Sequence, residues 1–249
     1  MGTLGVMARV IGAHGPSRAE VLGLFPALER GRATHVMNQI ASRHFRNRAA
    51  IALVGRRGMA ALAALVDPHS ESEPPAIAHR ERGLILVAYH VGAHFGVGAA
   101  LHRWGTSVLT LRDMPLGDAD ARARSLKLAV ETVKDRGVVM AAIDGPGGVS
   151  STTVPCLGRR IVVRRGPLVI ARLTGAPIVP VVAQWMEHGR IRILTGRPFS
   201  LPAANDPLFD QAAALAVARW LELHLTTHPE DLWPYTLRNL LASPMSPSS

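Results

Sequence analysis

Along the 249 residues the spacing of apolar positions changes period several times, and each change predicts an element. The string SRAEVLGLF sets Ser17 and Glu20 three apart ahead of an apolar run, the capping-box arrangement that opens a helix. In ATHVMNQIASRHFRNRAAIALVG, Val36, Ile40, His44 and Phe45 fall at helical spacing. Residues 67–83 are polar and proline-containing and read as a surface loop closing a helical N-terminal portion, 1–66. Beyond it the period shortens. GLILVAY (83–89) and GVVMAAI (137–143) are continuous apolar runs, the signature of strands buried on both faces. Between them lie a helix over 92–104, a strand TSVLTL (106–111) and the amphipathic helix DADARARSLKLAVETVKDRG. A long loop is expected from DGPGG through Arg160, then a short helix closed by Gly175, a strand APIVPVVAQW, a hairpin partner GRIRILTG and a long final helix from DPLFDQ. This alternation predicts an α/β fold with a mainly parallel central sheet flanked by helices, its core over 67–240 and a disordered tail over 241–249.

Composition narrows the class. No apolar run approaches the roughly 18–20 residues of a spanning helix, and the N-terminus lacks the three-part pattern of a secretory signal. The single cysteine, Cys156, excludes an internal disulfide and fits a reducing cytoplasm. The formal charge of +10 is carried almost wholly by arginine, since Lys127 and Lys134 are the only lysines. Arginine suits phosphate and carboxylate recognition because its planar fork meets two oxygens at once. Aromatics make up only 4% of the chain, and no basic run is interleaved with them, which argues against a nucleic-acid stacking platform.

Candidate chemistry sits at two strand ends. In open α/β sheets ligands bind beyond the carboxyl ends of strands. His90 directly follows the first buried strand, and Asp144 opens DGPGG directly after the other. A histidine there has its backbone fixed by the sheet and its ring aimed into the crevice, as a general base requires. His90 and His94 share the spacing of a metal pair, but no third ligand follows suitably, so no metal is expected. Glycines such as Gly145 let backbone amides approach an oxyanion or phosphate. Gly158, Arg159 and Arg160 follow, and Arg164 and Arg165 after them, which brings guanidinium groups into the expected neighbourhood.

The layout resembles the lysophospholipid acyltransferase superfamily, most closely its branch of lipid A late (lauroyl/myristoyl) acyltransferases. The resemblance covers roughly residues 25–240 and rests on motif order. His90-Val91-Gly92-Ala93-His94-Phe95 stands for that family's His-x-Gly-Asn-Trp-Glu, and LTLRDMP with Arg112 for its second element. AAIDGPGG with Asp144, and PCLGRR with Gly158, stand for its third. IARLTGAPIVP (170–180) and HPEDLWPYTLR (228–238) match the fourth and the last.

What the resemblance implies is a glycerolipid-acyltransferase-like fold that moves a fatty acyl group from a thioester. The donor would be coenzyme A or acyl carrier protein, and the acceptor a hydroxyl or amine of a lipid or other small molecule, with no tightly bound cofactor. His90 would be the general base, with Asp144 beside it. His94, Arg112, Gly145, Gly158, Arg159 and Arg160 would contact substrate. The family's orienting acid falls five residues after the histidine, where this chain has Phe95. A carboxylate from elsewhere can replace it, Asp144 first and Asp113 second. Otherwise His94 or a backbone carbonyl orients the ring, or the chain is a decayed acyl-chain or acyl-carrier binding protein. The family's membrane helix is missing from the N-terminal residues, so the expected location is the cytoplasm, with peripheral contact to the inner face of the membrane through arginines.

Overall fold

A computed structural model describes residues 16–67, 83–111, 119–144 and 150–241. Residues 68–82 of the expected loop, Arg112, Asp113, Gly145 and the tail from 242 onward lie outside the described residues. Among the described residues eight α-helices and seven strands follow one another. Three helices come first, α1 (Arg18–Leu24), α2 (Arg30–Arg57) and α3 (Met59–Ala63). In α1 the Ser17 hydroxyl accepts the Glu20 amide while the Glu20 carboxylate accepts the Ser17 amide, so the capping box closes in both directions.

The central sheet holds β1 (Leu84–Ala88), β2 (Val108–Leu111), β3 (Val138–Ala142), β6 (Ile178–Trp185) and β7 (Ile191–Thr195) in the order β2-β3-β1-β6-β7. All pairings are parallel except β6 with β7, the expected hairpin. Along β1 the side chains alternate between two cores: Ile85 and Val87 join one, Leu84, Leu86 and Ala88 the other. That is why its sequence reads as an unbroken apolar run. The second core is covered by α3 and by α4 (Gly96–Arg103), which places Val97, Ala99, Ala100 and Leu101 on it. The first is covered by α1, α5 (Ala119–Lys134), α6 (Gly166–Thr174) and α7 (Phe209–Thr227).

The expected loop up to Arg160 is instead a separate two-stranded hairpin, β4 (Ser151–Cys156) with β5 (Arg159–Arg164). Leu157 (φ 51°) and Gly158 (φ 64°) form its two-residue turn in the left-handed region, as tight hairpins require. Pro155 hides β4 from a sequence reading because proline ordinarily argues against a strand; it is tolerated here on a strand with a free edge. The last helix is not α7. A 3-10 turn (Pro229–Asp231) and α8 (Pro234–Leu241) follow it. Among the described residues no helix is long and apolar enough to cross a membrane.

The connections place the crevice. From β1 the chain crosses through α4 on one face towards β2; from β3 it leaves through the hairpin and α6 on the other face towards β6. Neighbouring strands whose exits run to opposite faces open a cleft at their carboxyl ends. The residues just past β1 and β3 are therefore brought to one place.

Candidate active site

The chain turns sharply after β1. Gly92 has φ 56°, its amide donates to the Asp231 carbonyl (2.8 Å), and its carbonyl accepts from the Asn47 side chain (2.6 Å). A β-carbon at Gly92 would lie 2.3 Å from the Ala183 carbonyl oxygen, so only glycine fits both the conformation and the space. Asn47 is itself held by the Trp185 indole N–H at 2.8 Å. Elements distant in sequence thus clamp this turn and fix His90 at its start.

Asp144 arrives from the neighbouring strand. Its Oδ1 accepts the His90 backbone amide at 2.8 Å and lies 3.1 Å from His90 Nδ1; the Asp144 carbonyl is also 3.1 Å from Nδ1. Both neighbours of Nδ1 are acceptors, so the neutral ring carries its proton there and leaves Nε2 with its lone pair. The Thr236 hydroxyl lies 2.9 Å from Asp144 Oδ2 and 2.6 Å from the His90 carbonyl, with one proton for two acceptors. Asp144 is almost wholly buried, whereas the His90 side chain keeps 23% of its exposure. The Nδ1 edge of the ring is fixed, and the ring is only partly covered.

Electrostatics follow from that placement. Burial disfavours a charged His90, but the hydrogen bond and charge of Asp144 outweigh it, and its pKa is raised despite the nearby Arg164 guanidinium. Burial likewise pushes the Asp144 carboxyl up, and the same bond to His90 outweighs it, so Asp144 is held below its usual value. His94 behaves oppositely: burial, then repulsion from His90, lowers it to about 3, with Asp144 only partly opposing them. It is a neutral ring whose buried Nδ1 has no hydrogen-bond partner among the described residues.

The rings form a wall. Trp233 lies 4.1 Å from His94, tilted by 35°, and 6.1 Å from His90, near-parallel at 15°; Tyr235 lies 4.8 Å from His90. The Trp233 indole donates to His44 at 2.8 Å. Cys156 offers no competing nucleophile, because burial pushes its thiol up to about 12.

Other expected site residues lie elsewhere. Gly158 forms the hairpin turn, and Arg159 reaches α1 beside Gly23. Arg160 lines a different cavity. The hairpin joins the site at its opposite end, where Val163 bridges Asp144. Phe95 opens α4, partly exposed, with its ring against His94. Sequence reading passed over Thr236, Trp233, Tyr235 and Asn47. The first three lie within HPEDLWPYTLR, a string whose resemblance gave their position no chemical role. Among the described residues no group of three His, Cys, Asp or Glu side chains is arranged to hold a metal ion. Compared with known proteins, the chain matches no family model, and no curated protein matches it.

Proposed function

We propose that this protein is an acyltransferase that moves a fatty acyl group from a thioester to a hydroxyl or amine, with His90 as general base and Asp144 as its orienting carboxylate. The observation that carries this reading is the His90–Asp144 contact at the carboxyl ends of β1 and β3, which engages Nδ1 on a ring that keeps 23% of its exposure. In the step proposed, Nε2 takes the proton from the acceptor as its oxygen or nitrogen attacks the thioester carbon. The tetrahedral intermediate then collapses, the carbon–sulfur bond breaks, and the imidazolium returns the proton to the departing thiolate. Asp144 stabilises the imidazolium, and Thr236 holds Asp144 in line.

Phe95 was the ground for reading the site as decayed. Asp144 at Nδ1 supports turnover instead, because the ring has a carboxylate without one at position 95. A glycerolipid-acyltransferase-like fold is part of this proposal, supported by the motif order and by the parallel sheet that carries His90. So is contact with an acidic carrier or the inner face of a membrane. Helix α2 contains no Asp or Glu, and Arg30, Arg32, Arg48, Arg56 and Arg57 on it are exposed.

The test is transfer from acyl-coenzyme A and acyl carrier protein thioesters to a panel of lipid, polyol and amine acceptors, beside a His90→Ala variant. Transfer by the native chain that disappears in the variant is the expected result. Equal transfer by both removes His90 from the mechanism.

A further inference from the structure

A concavity of about 580 Å³ lies along β4, between Arg165 and Arg172 at the two ends of α6 and the first turns of α7, and His90 is not among its lining residues. It shares no residue with the site already described. Its wall carries Arg160, Arg165 and Arg172 against a single carboxylate, Asp210, so three positive charges face one negative. Asp210 pairs closely with Arg165 through Oδ2, while its Oδ1 is 3.7 Å from Arg172 and has no hydrogen bond. That carboxylate positions two guanidinium groups without saturating their donors. Arg160, exposed on the hairpin, has no partner among the described residues. Ser151, Thr152, Thr153 and Gln211 add polar lining, and Pro207 and Leu215 add apolar lining.

Each of these features selects a ligand property. Two positive charges in excess match a dianion. Several forked donors from different elements match tetrahedral oxygens better than a planar carboxylate. The volume falls in the range of about 300–1,000 Å³ typical of organic-ligand pockets, far more than a bare phosphate fills, and the apolar wall gives an organic portion something to rest on. We propose that this cavity binds a phosphorylated organic anion of nucleotide size, with Arg160 and Arg172 on its phosphate. The site does not rest on acyl transfer. Two sources share the chemistry, the phosphorylated adenosine end of a coenzyme A donor and a free nucleotide.

Calorimetric titration of the full chain at low salt with coenzyme A, with ATP and with inorganic phosphate separates them. We expect saturable binding of coenzyme A or ATP, with the tighter of the two naming the source. In Arg160→Glu and in Arg172→Gln this affinity falls by about tenfold or more, while circular dichroism is unchanged and His90→Ala binds normally. Absence of binding by both compounds, inorganic phosphate as tight as either, full affinity in both arginine variants, or loss in His90→Ala would each overturn the proposal. Binding is read without turnover, so an inactive enzyme that still binds leaves this site standing and removes only the acyl-transfer reading.

Discussion

Two histidine–aspartate pairs stand in this molecule, made of the same side chains and set in opposite surroundings. In one, His90 faces Asp144, whose other partners are a backbone amide and a hydroxyl, all neutral. In the other, His224 Nε2 lies 3.0 Å from Asp231, which also takes the Gln184 amide at 3.0 Å and a close ion pair from Arg43. The His224 side chain is 5% exposed and the His90 side chain 23%. Asp231 has a permanent cation beside it and a ring with no way out; its carbonyl meanwhile anchors Gly92. Asp144 has no such cation bonded to it among the described residues, so its charge acts on the imidazole. On the proposed reading, what fits such a pair to act as a base is a carboxylate with no guanidinium bonded to it among the described residues and a ring that is not wholly buried.

The largest expected effect falls on the open pair. His90→Ala should lower turnover by on the order of 10⁴, judged from removal of one member of a serine-protease triad, with the native circular dichroism retained. Asp144→Asn should cost a similar factor, because an amide holds the ring in no fixed tautomer. A drop below about tenfold in both would make this pair as structural as the other. Phe95→Glu should leave turnover where it is, because Asp144 already occupies Nδ1; a gain would mean the site lacks its acid after all.

Asp231→Ala breaks the closed pair and should be felt as stability. It strands Arg43, Gln184 and His224 and should cost about 3–5 kcal/mol, as removing one partner of a buried ion pair does. Urea denaturation measures it. A loss under about 1 kcal/mol would show that this network behaves like a surface pair.

Acid separates the two histidines of the active site. His94 stays neutral in the native state down to about 3, while in the unfolded chain it takes a proton near 6.5. The unfolded state therefore binds more protons below 6.5, and stability drains away as pH falls through that window, by on the order of 3 kcal/mol near pH 4. His94→Gln should flatten that slope. His90 has the opposite sign. Its native pKa is raised, so the stabilisation it contributes is complete below the unfolded value and is lost as pH rises through the native one. Over the same interval Nε2 becomes free to accept a proton, so kcat/KM should climb while His90's stabilising contribution fades. Asp144→Asn should move that climb to lower pH. A profile with its midpoint at or below 6.5 in the native chain would contradict the raised pKa.

How much of this was legible in the sequence depends on whether a signal is local. Leu84–Ala88 and Val138–Ala142 announced themselves as buried strands, and so His90 and Asp144 could be placed at neighbouring tips before their contact was known. The hairpin was hidden because Pro155 interrupts its pattern and arginines occupy half of β5. That error displaced a chemical inference. Arg159 and Arg160 follow DGPGG closely in the chain, yet β5 carries Arg160 three residues from Val163, roughly 10 Å at the rise of a strand, and into another cavity. Asn47 and Thr236 left no local mark, since one lies on a helix 45 residues from the glycine it holds and the other 92 residues from the carboxylate it meets. Such contacts exist only after the fold has closed.

The smallest effect is the one that sharpens the comparison most. Thr236 is to Asp144 what Gln184 is to Asp231, a neutral donor to the carboxylate. Thr236, however, takes the oxygen that the ring leaves free, whereas Gln184 shares Oδ2 with His224. Thr236 also reaches the carbonyl of the residue whose ring is the proposed base. Thr236→Val keeps the shape and removes the hydroxyl. The carboxylate then loses one of its donors in a buried place, which lowers the acidity of Asp144 and lets it swing about its remaining contacts to His90. Turnover should fall by about three- to tenfold, in line with a lost hydrogen bond of roughly 0.5–1.5 kcal/mol, with KM for the thioester unchanged because Thr236 touches no substrate. Thr236→Ser restores the hydroxyl and should restore the rate. If Val and Ser behave alike, the hydroxyl only fills space, and the alignment of Asp144 belongs to the His90 amide alone.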